Sequence, residues 1–212
     1  MTNTYIFDLD GTILNSSPDI LKCINLSLEE CGFAEKIADE SVIGPPIAKI
    51  LEKAVPSLSE SGKSQVISCF RKKYDEPHED ISYVYPGINE LLIKLKNRSE
   101  SKLIIATNKP YIPTMRIIKF FSLDYFDCVY CGDHPSVFKD KQEMVSSLIK
   151  NEHIDTKETI FVGDTDGDLL VASQNNIRFI GVEWGYEKDK TKLRTFSYKF
   201  VSSPSELQRE LV

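Results

Sequence analysis

From residue 86 onward the chain alternates short apolar runs with stretches whose apolar residues recur at helical spacing. Residues 103–106, 128–131, 159–162 and 179–182 have the length and unbroken apolarity of strands buried on both faces. Between them Ile88, Leu91, Leu92 and Leu95, then Ile117, Ile118, Phe120 and Phe121, then Met144, Val145, Leu148 and Ile149, mark helices. Further helices are expected at residues 169–172 and near the C-terminus at 204–211. Helices and strands in this order make a Rossmann-like α/β core, a parallel sheet with helices on both faces.

A further strand stands at the start, where Tyr5, Ile6 and Phe7 run into Asp8, Leu9, Asp10, Gly11 and Thr12. Gly11 requires a turn directly after Asp10, and the turn decides whether the two carboxylates converge or part. Residues 16 to about 80 carry no strand signal. Ser16 and Pro18 suit the start of a helix bearing Ile20, Leu21, Ile24 and Leu28, which Gly32 stops. A second helix carries Ile47, Ile50, Leu51 and Ala54 after Gly44, Pro45 and Pro46, and a third spans residues 59–74. The expected organisation is therefore a three-layer core of residues 1–15 and 84–212, with an all-helical insertion, residues 16–83, spliced in after the first strand. Ligands in such sheets bind beyond the carboxyl ends of the strands, on the side where an insertion at this position sits.

The 26 basic and 32 acidic residues give a net charge of −6, and no basic tract tracks a phosphate backbone, so nucleic acid is a poor partner. No apolar run approaches the length of a membrane span, and the expectation is a cytosolic protein, monomeric or homodimeric. Five cysteines suit reduced thiols. Cys128 and Cys131 have CxxC spacing, but on a strand they point to opposite faces and no second pair completes a zinc site.

Three strands end in polar residues of distinct kinds: Asp8 and Asp10; Thr107, Asn108 and Lys109; and Asp164, Thr165, Asp166, Gly167 and Asp168. Parallel neighbours would bring all three tips to one crevice. From Asp8 and Asp10 alone, cation binding, acid/base work, nucleophilic attack and an ordinary Asp–Gly turn all remain open. Carboxylates gathered from distant segments call for a cation, and an oxygen-only donor set favours magnesium over zinc.

The succession of Asp8-Leu9-Asp10-Gly11-Thr12, Ala106-Thr107-Asn108, a lysine near residue 140, and Gly163-Asp164 followed by Asp168 resembles the haloacid dehalogenase superfamily. The insertion after the first motif, Tyr85-Pro86-Gly87, and the run from Gly181 to Tyr186 are similar to its phosphoglycolate-phosphatase-like members. The resemblance implies a Mg2+-dependent phosphatase acting on a small phosphorylated metabolite through an aspartyl-phosphate. In that reading Asp8 is the nucleophile and Asp10 the acid and base. Mg2+ is held by Asp8, the Asp10 main-chain carbonyl and Asp164, with Asp168 orienting that shell. Thr107 and a lysine steady the phosphoryl oxygens, and Gly11, Thr12, Asn108 and Lys109 adjoin the substrate. The resemblance favours Lys141, which opens a helix, over Lys139. A sugar-phosphate mutase, a 5′-nucleotidase or a pyrophosphatase of the same superfamily are the alternatives.

Asp166 reads as a solvated turn residue, and His78, His134 and His153 as surface or loop residues without ligand partners. Lys109 reads equally as an exposed loop lysine and as a substrate contact. The Gly44-Pro45-Pro46 turn either stops a helix or faces the site. Substrate choice should rest with the insertion, where Arg71 is the single arginine and no paired fork awaits a carboxylate such as that of glycolate.

Overall fold

A computed structural model describes residues 4–75, 81–98 and 100–212. The chain starts with β1 (Thr4–Phe7) and a two-residue strand β2 (Leu14–Asn15), followed by three helices, α1 (Ser17–Glu30), α2 (Ile47–Ala54) and α3 (Glu60–Asp75). It returns through β3 (Tyr83–Val84). Helices and strands then alternate: α4 (Ile88–Lys96), β4 (Lys102–Thr107), α5 (Tyr111–Phe120), β5 (Cys128–Cys131), α6 (Lys141–Asn151), β6 (Thr159–Gly163), α7 (Asp166–Gln174), β7 (Arg178–Val182), α8 (Thr191–Phe196), β8 (Lys199–Val201) and α9 (Pro204–Leu211).

Six strands form one parallel sheet in the order β5-β4-β1-β6-β7-β8. Phe7 of the central strand lies level with Ile105 of β4 and Val162 of β6, so three strand ends stand at one height. The chain leaves β1 towards one side of the sheet and later resumes on the other, which opens a crevice at the carboxyl end of β1. The period of two along each strand builds two cores. Tyr5, Phe7, Leu103, Ile105, Val162 and Ile180 pack with α4, α5 and α9, whereas Ile6, Ile104, Phe161 and Phe179 pack with α6, α7 and Leu193 of α8. Phe7 is fully buried, and truncating it to alanine would cost about 3–5 kcal/mol.

The helices of the insertion have their own buried cluster, with Ile24 and Leu28 of α1, Leu51 of α2 and Val66 and Phe70 of α3. Among the described residues Tyr186 is the only buried member of that cluster from outside residues 20–74. At the neck β2 pairs antiparallel with β3, Leu14 opposite Val84. The buried Asp19 carboxylate ties the returning chain to α1 by accepting from the amides of Ile81 and Ser82 and from the Ser82 hydroxyl.

Local expectations are corrected at three points. Ser16 does not cap α1 with its side chain: its hydroxyl donates to Asp10, and the Tyr186 hydroxyl accepts from the Ser16 and Ser17 amides instead. Helix α7 starts at Asp166, because Thr165 and Asp168 form a reciprocal capping box ahead of the first apolar residue. Asp166 is thus a first-turn helix residue paired with Lys192 at 2.8 Å rather than a solvated turn residue. The sheet also gains β8 at its edge, beyond the last strand expected from the sequence.

All five cysteines are free, and burial pushes the Cys128 and Cys131 thiols up to about 11. Among the described residues no helix is long and apolar enough to cross a membrane.

Candidate active site

The turn after β1 separates its two acids. The amides of Ile13 and Leu14 return to the Leu9 carbonyl, the Gly11 amide donates to the Leu14 carbonyl, and Gly11 holds φ at +88°, a left-handed value that glycine adopts without strain. Leu9 between the acids is fully buried. Asp8 consequently faces α6, where the Lys141 ammonium donates to its Oδ1 at 2.5 Å. Asp10 faces the insertion: its Oδ1 accepts from Ser16 Oγ at 2.5 Å and lies 3.1 Å from Lys109 Nζ. Lys109 in turn donates to the Tyr74 hydroxyl of α3 at 2.8 Å.

Asp164 follows β6 and reaches the same crevice. Its Oδ1 accepts from Thr12 Oγ1 at 3.1 Å and its Oδ2 from the Tyr186 amide at 2.8 Å. Asp168, one turn into α7, accepts from Lys141 at 2.6 Å through Oδ1 and from Thr165 Oγ1 at 2.7 Å through Oδ2. Asp8, Asp164 and Asp168 each offer a carboxylate oxygen within 4.8 Å of the others, and all three are buried.

Glycines make this crowding possible. A Cβ on Gly11 would stand 2.3 Å from Asp164 Oδ2, one on Gly185 would stand 2.1 Å from Asp164 Cβ, and one on Gly163 would stand 2.6 Å from Asp168 Cβ. The backbone is therefore packed directly against the carboxylates on three sides.

Burial is the largest influence on Asp8 and lifts its pKa well above the usual carboxylate range; Lys141 opposes it, while Asp168 and Asp164 add to it. Burial, reinforced by Asp168, pushes Asp164 up to about 7. Burial works against the Lys141 ammonium, but Asp168 and Asp8 outweigh it and keep the lysine charged. Three buried carboxylates around one ammonium are short of positive charge, and their donor set is oxygen alone. A divalent hard cation fits both properties.

Other expected residues fall into distinct places. Lys139 is exposed, and its amide, rather than its ammonium, engages Glu143. Lys109 is not a loop lysine in solvent: it is 6% exposed and bonded to Tyr74 and Asp10. Thr107 is buried at the end of β4, with its hydroxyl accepting from the Lys109 amide. Asn108 Nδ2 donates to the Gly44 carbonyl at 3.1 Å, so the Gly-Pro-Pro turn faces the crevice. Thr12 is fully buried and meets Asp164, which leaves it no exposed surface for a substrate. His134 stacks on Tyr111, His153 follows α6 at φ +52°, and His78 lies outside the described residues. Ser16 and Tyr186 emerge as partners of Asp10 and Asp164 only in the fold, since the turn after β1 aims Asp10 at Ser16 and the chain after β7 brings Tyr186 back to Asp164.

The Asn108–Gly44 contact adjoins two lobes of the cleft. One, about 650 Å3, is lined by Asp8, Lys141 and Asp168; the other, about 310 Å3, by Asp10, Lys109 and the apolar wall of the insertion.

A sequence model of haloacid dehalogenase-like hydrolases matches residues 5–182. The chain belongs to this family. Among haloacid dehalogenase-like relatives, it is 29% identical over 208 residues to a phosphoglycolate phosphatase of Aquifex aeolicus, covering 95% of this chain and 93% of that one. It is 28% identical over 184 residues to a 5′-nucleotidase of Pseudomonas aeruginosa, with 85% and 82% covered. The crystal structure of a predicted phosphatase from Clostridium acetobutylicum superposes with a TM-score of 0.86 at 26% identity, covering 100% of this chain and 98% of the other.

Proposed function

We propose that this haloacid dehalogenase-like hydrolase is a Mg2+-dependent phosphomonoesterase working through phosphorylated Asp8. The observation that carries the reading is the buried cluster of Asp8, Asp164 and Asp168 around Lys141, with Asp10 turned to a separate lobe and separate partners. Asp8 attacks phosphorus, and the bond to the leaving oxygen breaks as Asp10 gives that oxygen a proton. Asp10 then takes a proton from the water that attacks the aspartyl-phosphate, releasing phosphate and restoring Asp8. Ser16 and Lys109 hold the Asp10 carboxylate in place for both transfers.

Asp8, Asp164 and the Asp10 main-chain carbonyl would hold Mg2+. Asp168 accepts from Lys141 and from Thr165, and we assign it to orienting Lys141. When bound, the ion supplies positive charge to the phosphoryl oxygens. Lys141 adds a second cation on the same side, where charge spreads in the transition state. Thr107 fixes the start of the Asn108–Lys109 segment through the Lys109 amide. The substrate is a small phosphorylated metabolite. Changing Asp8→Asn should abolish release of phosphate from an ester such as ethyl phosphate in the presence of Mg2+. Retention of full activity would remove Asp8 as nucleophile and the reading with it.

A further inference from the structure

The two lobes of the cleft differ in chemistry, and the difference bears on the alcohol that leaves. The lobe without Asp8 is the one lined by Asp10, and a group that protonates the leaving oxygen must stand where the leaving group is. This lobe is walled on the insertion side by Ile43, Ile47, Ile50 and Phe70, and Val137 and Phe138 line it from the core. Among the described residues none covers Val137, which is 85% exposed at the mouth of this lobe. At about 310 Å3 the space is far larger than a two-carbon alcohol requires and is in the size range of small-molecule pockets.

Its buried cation is not free for an anionic leaving group. Along the lining, four aspartates face three basic residues. The buried cation among these, Lys109, is already committed to Asp10 and to the Tyr74 hydroxyl, and its ammonium lies 4.6 Å from the Tyr74 ring centre. A carboxylate placed beside the isoleucine wall would lose its hydration, and the cations left to it on the lining, Arg71 and Lys139, are exposed at the solvent edge, where an ion pair contributes little.

Resting on the phosphomonoesterase reading, we propose that the leaving alcohol carries a flat, largely apolar ring held between α2, α3 and the segment around Val137, and that a small carboxylated alcohol such as glycolate is a poor occupant. The ring is supplied either by an arylalkyl group or by a nucleobase, which share an apolar face and similar thickness. Contact with Ile47 and Val137 would remove exposed apolar surface from water, whereas glycolate would leave most of the lobe filled with solvent.

The test is steady-state hydrolysis by the full chain with saturating Mg2+ of 2-phenylethyl phosphate, adenosine 5′-monophosphate, ethyl phosphate and phosphoglycolate. All four have alkyl leaving oxygens, so differences in leaving-group acidity do not dominate the ranking. At least one ring ester should exceed phosphoglycolate in kcat/KM by about tenfold or more, and which one it is identifies the ring. Ile47→Ala should lower the ratio of ring ester to phosphoglycolate by about tenfold, chiefly through KM, as loss of a few apolar carbons in a specificity pocket does. Val137→Asp, at a position too exposed to threaten folding, should lower the same ratio. A phosphoglycolate kcat/KM equal to or above both ring esters overturns this proposal alone. A ratio unmoved by either variant does so too. No hydrolysis of any of the four esters overturns the phosphomonoesterase reading together with it.

Discussion

Tyr186 binds Asp164 through its amide at 2.8 Å while its hydroxyl accepts from the Ser16 amide at 2.8 Å and the Ser17 amide at 3.0 Å. One residue thereby joins the Asp164 carboxylate to the first turn of the inserted helices, and Ser16 carries the connection on to Asp10. Burial raises the Tyr186 phenol far above its ordinary range, so it stays protonated and also donates to Asn15 Oδ1.

Tyr186→Phe removes the hydroxyl and leaves the amide bond to Asp164 intact. The buried Ser16 amide loses its acceptor, a loss worth about 1–3 kcal/mol, while the Ser17 amide keeps Asn15 Oδ1 at 3.2 Å. Urea denaturation should show a decrease of that order, with Mg2+ affinity unchanged. The turnover number should fall because Ser16, and with it Asp10, loses its fixed position. A variant with wild-type stability would show that the Ser16 amide finds another partner.

Lys141 and Lys139 stand two residues apart in the chain but in opposite environments. Lys141 is 9% exposed and bridges Asp8 and Asp168, whereas Lys139 is exposed. Lys141→Met should reduce kcat/KM by about 10²–10³-fold, the scale for losing a cation aimed at developing charge. Lys139→Met should stay within a few-fold of wild type. Comparable losses from the two variants would reverse the assignment.

Gly185→Ala would force a Cβ to within 2.1 Å of Asp164 Cβ, with no flexible side-chain end to move aside. Overpacking of this kind costs about 1–3 kcal/mol. The strain falls on the position of Asp164, so Mg2+ binding measured by calorimetry should weaken along with thermal stability. An alanine variant that binds Mg2+ as wild type does would show that the segment around Trp184 can shift.

Much of the sheet was legible because its strands are buried on both faces and so read as continuous apolar runs. The acids at the strand tips were legible because turn chemistry follows each run. β8 escaped because it is a three-residue edge strand with one buried side chain, Val201, and α8 because Leu193 is its single buried residue. Asp166 was misread because its helix starts with polar capping residues, before any apolar period exists. The burial of Lys109 was invisible for a different reason. It depends on Tyr74, which is placed by the packing of α3, and no local spacing encodes that. Ser16 looked like a helix cap because serine commonly is one; Asp10, six residues earlier, takes its hydroxyl instead.

If the carboxylate cluster holds Mg2+ as proposed, the stability of the protein depends on that ion. Asp8 and Asp168 share Lys141 beside Asp164, and burial with mutual repulsion raises both Asp8 and Asp164. An ion that binds the folded state alone stabilises it by RT ln(1 + [L]/Kd), about 2.7 kcal/mol at a hundredfold excess over Kd. Mg2+ should therefore raise the melting temperature, and a chelator should lower it again. Asp164→Asn keeps the side-chain shape but removes one negative charge from the cluster. Without Mg2+ this variant should melt at or above wild type, because a repulsive charge is gone. With Mg2+ it should melt below wild type, because the ion has lost a ligand. The crossing of the two orders in a thermal scan is the expected signature. Melting temperatures that ignore Mg2+ in the wild-type protein would mean that the cluster is balanced by Lys141 alone.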